Sequence, residues 1–289
     1  MFLQPRTWDE ALDDRAHHPD ALPVAGGTDV LVDINVGRAH PDAVLDLTRV
    51  PSLREWSTGP DGARIGACVT YTELIAGFAR PLPGLVMAAR SVGSPPIRHR
   101  GTIGGNLGSA SPAGDCHPPL LASGASVEVA SVRGVRTVPV REFFLGPKRN
   151  ALAADELIST VCAPAATGPQ VFTKVGPRNA MVIAVCSFAL ALDPRRGVVG
   201  TGMGSVGPVP LVADGAAHFL EDHLEAAGLW RSREPLDPSV VGRFAELVVG
   251  AARPIDDVRG TAAYRRHALH VLARRSLQWC WDDYCGGAT

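Results

Sequence analysis

The sequence predicts an α+β protein with two domains, and three observations support this. The chain has 289 residues with 46% hydrophobic content, which is enough to form two modest cores. No G-x-G-x-x-G motif follows its first predicted strand, which disfavours a doubly wound nucleotide-binding fold. In the later part of the chain, strand patterns come first and helix patterns follow. That order is typical of an antiparallel sheet with helices packed on one face.

The composition excludes several classes of protein. A formal net charge of −1 gives no indication of a nucleic-acid surface. None of the six cysteines forms a C-x-x-C pair, which argues against a disulfide framework, a zinc site or an iron–sulfur cluster in this chain. The N-terminus has no secretory signal pattern, and the longest apolar stretch, 180–192, is too short to span a membrane. We therefore expect no membrane association and a cytoplasmic location.

Two helix-capping boxes mark the first part of the chain. Thr7 and Glu10 predict a helix to about residue 17, and Pro19 stops it. Thr70 and Glu73 predict a second helix to about residue 78. The other elements expected here are strands at 22–24, 44–47 and 64–67, a helix at 85–92, a helical turn at 118–122, a hairpin at 127–140, a connection at 143–157 and a strand at 157–161.

A linker at 164–169 separates the two parts, and we place the domain boundary there. The turn signal Asp193-Pro194-Arg195-Arg196-Gly197 divides two apolar strand patterns in the second part. The elements expected here are a first strand around 171–174, strands at 181–192 and 198–206, a helical pattern from 211, and helices at 240–252 and 261–277.

We expect the chemistry in two glycine-rich segments. The first, AGGTD at 25–29, directly follows the strand at 22–24. The second runs from 97 to 121. The sequence pattern across 96–115, which overlaps this segment, indicates neither helix nor strand. Because small side chains let the backbone approach a ligand closely, successive N–H groups can form a concave anion-binding nest. We interpret the two segments as halves of one pyrophosphate cradle.

A simpler interpretation is that each glycine pair is only a turn. The chain has 31 glycines, so either pair alone would be weak evidence for a binding site. Long irregular segments inside compact domains are more often functional, which favours a binding role for the second segment.

A family resemblance adds to this interpretation. The segment TIGGNLGSASPAGD at 102–115 resembles the signature of the FAD-binding (medium) subunit of the molybdenum hydroxylases, of the xanthine dehydrogenase and carbon monoxide dehydrogenase type. The segment AGGTDVLVD at 25–33 is similar to the first flavin loop of that family, and the similarity extends from 5–12 to 254–277. A match over several segments is more specific than a single glycine motif.

The resemblance implies a fold and a division of the chain. Residues 1–166 would form a p-cresol methylhydroxylase-type FAD-binding domain of two subdomains, about 1–55 and 56–166. Residues 167–289 would form the smaller α+β C-terminal domain, an antiparallel sheet with helices. FAD would lie in a cleft between these parts.

The resemblance also implies which residues hold the cofactor. The candidate FAD-binding residues are Val24, Ala25, Gly26, Gly27, Thr28, Asp29, Thr102, Ile103, Gly104, Gly105, Asn106, Ala110, Ser111, Gly114, Asp115, Ile158 and Lys174. Backbone N–H groups of the first loop would face the diphosphate. The Asn106 amide and the Thr102 hydroxyl would add contacts to phosphate oxygens. Ala110, Ser111, Gly114 and Asp115 would lie near the ribityl chain and the adenosine.

Three of these residues have implied roles of their own. Asp115 would accept hydrogen bonds from sugar hydroxyls, and Ile158 would pack on the flavin or the adenine. Lys174 would lie close to the isoalloxazine ring, where a cation stabilises the anionic reduced flavin. Lys174 is equally well explained as an ordinary surface lysine. The basic pair Arg98 and Arg100 fits either phosphate neutralisation or a solvated face, and we favour the solvated face.

We expect no catalytic side chain and no metal ligand in this chain. The histidines are not arranged as metal ligands, and no Ser-His-Asp or Cys-His set is evident. The implied function is an FAD-carrying electron-transfer subunit of a molybdenum-dependent hydroxylase. It would accept electrons from [2Fe–2S] clusters on a small subunit and pass them to NAD or another acceptor.

The implied assembly places the other cofactors on partner chains. A large subunit would carry the molybdopterin cofactor, and the complex would be a dimer of heterotrimers. Two alternatives remain open from the sequence. One is a stand-alone flavin-dependent reductase of the same fold, such as one acting on an enolpyruvyl sugar nucleotide. The other is a scaffold protein that has lost redox function.

Overall fold

The computed structural model describes residues 1–286 and begins with a small parallel sheet. Its three strands lie in the order β1-β3-β2. The elements are β1 (Phe2–Leu3), α1 (Trp8–His17), β2 (Leu22–Val24), α2 (Val30–Asn35) and β3 (Val44–Asp46). The Thr7 side chain accepts a hydrogen bond from the Glu10 amide at 3.2 Å, and the Glu10 carboxylate accepts from the Thr7 amide at 3.2 Å. The predicted capping box at the start of α1 is therefore confirmed.

Five helices follow the first two strands of a second sheet. The elements are β4 (Trp56–Gly59), β5 (Gly62–Gly66), α3 (Tyr71–Gly77), α4 (Pro83–Ser91), α5 (Pro95–Arg100), α6 (Ile103–Ser109) and α7 (His117–Ala122). Thr70 and Glu73 form the second capping box, as predicted, at the start of α3. The helical turn expected at 118–122 is also confirmed, as α7.

The second sheet is antiparallel, with five strands in the order β4-β5-β10-β6-β7. Its remaining strands and the connection between them are β6 (Ser126–Ser131), β7 (Gly134–Pro139), α8 (Val140–Phe143), β8 (Phe144–Gly146), β9 (Arg149–Asn150) and β10 (Leu157–Ala163). The predicted hairpin is β6–β7, with Ser131 opposite Gly134 at its turn. The expected connection at 143–157 contains the small β8–β9 pair.

The prediction of an irregular segment across 96–115 was wrong, because α5 and α6 occupy much of it. Thr102 is the N-cap of α6, and its hydroxyl oxygen accepts a hydrogen bond from the Gly105 amide at 3.0 Å. Gly104 lies against Ala67, where an added Cβ would come within 2.6 Å of the Ala67 carbonyl oxygen. Gly104 therefore serves close helix packing, and this tertiary contact overrides its low helix propensity.

The last part of the chain is a three-stranded antiparallel sheet followed by helices, as predicted. The strands β11 (Gln170–Val175), β12 (Cys186–Asp193) and β13 (Val198–Gly204) lie in sequence order. The helices are α9 (Asp214–Ala226), α10 (Leu229–Ser232), α11 (Pro238–Ala251) and α12 (Ala262–Tyr284). Ala217, Leu220 and Leu224 of α9 are buried, in agreement with the predicted apolar stripe.

The strand predicted at 181–192 begins later than expected, at Cys186. The apolar run misled the prediction, because residues 176–185 form a loop in which Met181 has a positive φ of 51°. The Arg178 guanidinium donates to the carbonyl oxygens of Ala180 and Met181, which holds the loop in a tight bend.

The last sheet is buried on both faces. Cys186, Phe188, Leu190 and Leu192 of β12 pack with the helices that follow the sheet. The intervening residues Ala189 and Ala191 belong to the core of the first part of the chain. Helices α4 and α7 contact this second face. The helices of the last part therefore lie on one face, and the first part of the chain covers the other.

Glycines on β13 make this docking possible. An added Cβ at Gly200 would collide with the Ala122 carbonyl oxygen, and one at Gly202 would collide with the Pro118 carbonyl oxygen. The backbone of α7 thus lies directly on the backbone of β13. Across residues 1–286, no helix combines the length and the apolar character needed to cross a bilayer.

We predict that Gly202→Ala destabilises the protein by about 1–3 kcal/mol, because the new methyl group forces α7 away from β13. Urea denaturation of the full chain measures this change. The matched control is Gly59→Ala, at an exposed strand position where an added Cβ meets nothing within 4 Å. Equal unfolding free energies for the two variants would contradict the proposed backbone contact.

Candidate functional site

The candidate site is a cleft with two arms. The narrow arm, of about 470 Å³, lies between the parallel sheet and the five-stranded sheet. The wide arm, of about 790 Å³, lies between the first part of the chain and the loops at 181–183, 205–208 and 255–259 of the last part, with Arg265 of α12. Five residues line both arms, and we call them the junction: Thr28, Asp29, Tyr71, Asn106 and Ser109.

The first glycine turn forms one wall at the junction. Gly27 has a positive φ of 73°, which lets the chain turn from β2 into α2. Gly26 lies against the carbonyl of Arg100, where an added Cβ would collide with the oxygen. Within the described residues, the backbone amides of Gly26, Gly27 and Thr28 donate to no backbone or side-chain acceptor. They remain available to an anionic ligand.

Residues 103–106 of the second glycine segment do not offer such amides, so the prediction of a backbone nest at these four residues was wrong. The amides of Ile103 and Gly104 donate to the carbonyl oxygens of Val69 and Ala67. The Gly105 amide is bound by the Thr102 side chain, and the Asn106 amide donates to the Thr102 carbonyl oxygen. These bonds build α6. The segment presents to the cleft the open face of Gly105 and the side chain of Asn106.

The Asn106 side chain has no hydrogen-bond partner within residues 1–286, and its Oδ1 atom is buried. Its backbone carbonyl accepts a hydrogen bond from Nε2 of His117 at 3.1 Å. His117 is fully buried and packs on Phe144, with 4.5 Å between ring centroids. Burial lowers the pKa of His117 to about 4, so the ring is neutral at physiological pH. His117 therefore supports the backbone beneath Asn106.

Asp115 and Lys174 form a buried ion pair beside the wide arm. The Lys174 Nζ atom lies 2.6 Å from Asp115 Oδ2, and it also donates to the carbonyl oxygens of Ser91 and Val182. All three N–H groups of the ammonium are thereby used. Burial raises the pKa of the Asp115 carboxyl, and Lys174 and the Ser91 hydroxyl oppose this shift. Asp115 Oδ1 is buried and has no partner within the described residues.

The narrow arm has apolar walls and one buried cation. Its apolar lining includes Leu22, Leu47, Cys68, Leu152, Leu157 and Ile158. Arg15 also lines it, and the Arg15 Nη1 atom donates to the Ala21 carbonyl oxygen at 2.6 Å. Burial lowers the pKa of this guanidinium. A mainly apolar cavity of this kind suits a ring system of a ligand.

Lys148 and Asp33 link opposite sides of the narrow arm, with 2.6 Å between Nζ and Oδ2. Neither residue was predicted as part of the site, because 143–157 was expected to be a simple connection. The basic pair Lys148-Arg149 after a Gly-Pro pair was the available signal. Asn150 also lines this arm, and its amide donates to the Gly108 carbonyl oxygen at 2.9 Å.

The structure brings most of the predicted site residues around this cleft. The predicted residues that line the narrow arm are Ala25, Gly26, Gly27, Thr28, Asp29, Thr102, Gly104, Gly105, Asn106 and Ile158. Those that line the wide arm are Thr28, Asp29, Asn106, Ser111, Gly114 and Asp115. Val24, Ile103, Ala110 and Lys174 line neither arm and lie behind the walls. Arg98 and Arg100 also line neither arm, and Arg98 instead binds the carbonyl oxygens of Val92 and Gly93.

Arg265 holds the far wall of the wide arm. Its guanidinium donates to the carbonyl oxygens of Val185 and Ser205 and to the carboxylate of Asp257, at 2.6–2.8 Å. These three acceptors come from separate segments that line or adjoin the arm. In the part of the chain that the structure describes, no group of three or more His, Cys, Asp or Glu residues could hold a metal ion.

Comparison with known proteins gives consistent matches over both parts of the chain. Residues 1–166 match the family described as the FAD binding domain in molybdopterin dehydrogenase. Residues 172–280 match the CO dehydrogenase flavoprotein C-terminal domain. The nicotinate dehydrogenase FAD-subunit of Eubacterium barkeri is 36% identical, and the match covers 99% of this chain and 97% of that protein. The nicotine 6-hydroxylase medium subunit of Paenarthrobacter nicotinovorans is 31% identical, over 96% and 95% of the two chains.

Solved structures share the fold. A chain of carbon monoxide dehydrogenase from Hydrogenophaga pseudoflava superposes with a TM-score of 0.86 at 27% identity, covering 97% of this chain and 96% of that chain. A chain of quinoline 2-oxidoreductase from Pseudomonas putida 86 gives a TM-score of 0.88 at 24% identity. The predicted α+β fold is thereby confirmed.

The buried His117 predicts a specific dependence of stability on pH. Its pKa is about 4 in the folded protein and about 6.5 when unfolded, so between these values the unfolded chain binds more protons. Stability therefore falls as the pH drops from 7 to 4, by on the order of 3 kcal/mol from this residue. We expect His117→Gln to be less stable at pH 7 and to lose less stability on acidification, as measured by denaturant unfolding at several pH values. The exposed control His267→Gln should keep the wild-type pH dependence, and an equal dependence in His117→Gln would contradict the assignment.

Proposed function

This chain belongs to the family of FAD-binding subunits of the molybdopterin dehydrogenases, and from that premise we propose that the two-armed cleft holds one FAD molecule for electron transfer between partner chains. The observation that carries the proposal is the shape of the site. Two arms meet at a junction where the first glycine turn has free backbone amides. FAD has a matching form, with two ring systems joined through a diphosphate.

The unpaired polar groups near the junction fit such a ligand. Asn106 Oδ1 is a buried acceptor without a partner within residues 1–286, although buried polar groups are normally hydrogen-bonded, so it suits a hydroxyl or N–H donor of the ligand. The Nδ2 amide of the same side chain is suited to a phosphate oxygen. Asp29 is exposed, so its carboxylate can remain in water while the amides of the turn face the ligand. Asp115 Oδ1 offers a free acceptor for a sugar or ribityl hydroxyl at the wide arm.

We assign the adenine to the narrow arm and the isoalloxazine to the wide arm. The narrow arm has the smaller volume and the apolar wall that includes Ile158. The wide arm is rimmed by exposed apolar side chains of Met181, Ile183 and Ile255, so a ring placed there stays accessible to an electron donor and acceptor. Asp115 lines this arm, and its ion-pair partner Lys174 lies behind it.

FAD, when bound, supplies the redox chemistry. The residues of the chain bind and orient it. The amides of 26–28 and the Asn106 side chain hold negative charge, and Ile158 and its apolar neighbours exclude water from the narrow arm. Lys174 uses its three N–H groups on protein acceptors, so it acts on the wide arm through its charge. Asp115 partly offsets that charge.

We further propose the complete assembly that the resemblance implies. Electrons would arrive from [2Fe–2S] clusters of a small subunit, after hydroxylation at a molybdopterin cofactor on a large subunit, and would leave to NAD or another acceptor. The subunits would assemble as a dimer of heterotrimers. The relatives support this because they are named as FAD-subunits or medium subunits of dehydrogenases and hydroxylases, and the matches span 95–97% of their length.

We also propose the domain division given by the sequence: 1–166, with subdomains of about 1–55 and 56–166, and 167–289. The parallel sheet ends at Asp46, and the five-stranded sheet extends from Trp56 to Ala163, which supports the two subdomains. The last three residues of the second domain, 287–289, lie outside the described residues. A cytoplasmic location remains a prediction from the sequence.

We predict that Gly105→Leu abolishes stoichiometric FAD binding. An added Cβ at Gly105 meets only Thr102 Oγ1, at 2.9 Å, so a longer side chain extends into the cleft. The visible flavin absorbance of the purified, FAD-reconstituted chain measures the effect. The matched control is Gly250→Leu, at an exposed helix position with open space, which should retain FAD. Full flavin content in Gly105→Leu would show that α6 does not border the cofactor.

Affinity purification of the chain from its native host tests the proposed assembly. We expect two partner chains, one with [2Fe–2S] clusters and one with molybdopterin, identified by mass spectrometry and metal analysis. NADH should reduce the flavin of the complex if NAD is the acceptor. A flavin-containing chain that purifies alone, and that reduces a substrate without partners, would instead support a stand-alone reductase.

A further inference from the structure

Tyr71 occupies the centre of the cleft, although it belongs to neither glycine motif. It is the first residue of α3 and lines both arms. Its backbone amide donates to the carbonyl oxygen of Gly101 at 3.0 Å. Its ring packs on Gly101, where an added Cβ would come within 2.7 Å of Cε2. These contacts fix the ring against the chain just before α6.

The Tyr71 hydroxyl lacks the partner that a buried phenol normally has. The residue is only 4% exposed, yet within residues 1–286 the hydroxyl makes no hydrogen bond to the protein. The phenol oxygen is not fully sealed from solvent. Because Tyr71 lines both arms, this oxygen opens onto the cleft. A polar group held in this way indicates a ligand atom at the junction.

We propose that the Tyr71 hydroxyl donates a hydrogen bond to the diphosphate of FAD, opposite the amides of the first glycine turn. This inference rests on the proposed function, because it requires FAD in the cleft. The junction is the only part of the cleft shared by both arms among the described residues, so the middle of a dinucleotide lies there. Together with Asn106, Tyr71 would hold the diphosphate from the side of α3 and α6.

The protonation state of Tyr71 suits a donor to an anion. Burial raises the pKa of the phenol well above its ordinary value, and the nearby carboxylates of Asp115 and Asp29 act in the same direction. The hydroxyl therefore keeps its proton over the whole physiological pH range. A phosphate oxygen provides a negatively charged acceptor, and such hydrogen bonds are stronger than neutral ones.

The test is the substitution Tyr71→Phe in the full chain, which keeps the ring and its packing. We expect the Kd for FAD to rise about 10- to 100-fold, as for loss of a hydrogen bond to a charged group. The Kd for ADP, which carries a diphosphate, should rise by a similar factor. Riboflavin, which has no phosphate, should bind the variant and the wild type equally. Titration calorimetry or flavin fluorescence measures all three.

Two further measurements separate a ligand contact from a structural role. The ³¹P resonances of bound FAD should shift in Tyr71→Phe. The matched control Tyr264→Phe, at an exposed tyrosine outside the cleft, should change neither affinity nor resonances. Unchanged FAD affinity in Tyr71→Phe would overturn the inference, as would an equal loss for riboflavin, which would place the hydroxyl on the ribityl chain. If the wild type binds no FAD at all, the proposed function itself fails.

Discussion

The cleft depends on backbone packed against backbone at positions that carry no side chain. Gly26 lies on the Arg100 carbonyl, Gly104 on Ala67 and Gly202 on the Pro118 carbonyl. The first contact brings the glycine turn to the start of α6, and the second seats α6 against the end of β5. The third docks the last sheet on α7. These three contacts set the distances between the walls, so a methyl group at any of them changes the shape of the site before it changes its chemistry.

Close packing also decides which polar groups remain for a ligand. The amides of 103–106 are used to build α6, and the N–H groups of Lys174 are used by three protein acceptors. Leaving a buried polar group unpaired costs about 1–3 kcal/mol, so most such groups in a protein find partners. Unpaired polar groups remain at the centre of the cleft, on the first glycine turn and on Asn106. Others remain in the arms: Arg15 Nε in the narrow arm, and Asp115 Oδ1 and Ser205 Oγ in the wide arm. Polar groups for recognition of a ligand are therefore present at the junction and in both arms.

Patterns among neighbouring residues predicted most helices and strands correctly. Contacts between segments that are distant in sequence could not be predicted from such patterns. The capping boxes of α1 and α3 and the β6–β7 hairpin were correct because residues a few positions apart determine them. Residues 96–115 were predicted as irregular because glycine disfavours helix in isolation, whereas packing on Ala67 reverses that preference. Most of the predicted site residues surround the cleft, but Tyr71 and Lys148 escaped notice. Tyr71 and Asn106 line the same cleft through tertiary contacts that include the bridge between Thr70 and Thr102. Lys148 meets Asp33 across 115 positions of sequence.

The two arms are held together by different forces, and this difference has a functional consequence. The narrow arm is closed by apolar packing within the first part of the chain and by the solvent-accessible ion pair of Lys148 with Asp33. The wide arm is braced by two ion pairs that join separate segments: the buried pair of Lys174 with Asp115, and the buried Arg265 with the exposed Asp257. Removing one member of a buried pair leaves an uncompensated charge, which costs far more than replacing the whole pair. Because Lys174 lies on β11 and Asp115 precedes α7, the docking of the last sheet and the electrostatic field at the wide arm depend on the same contact. A change in how the two parts of the chain pack would therefore alter the environment of any redox group held there.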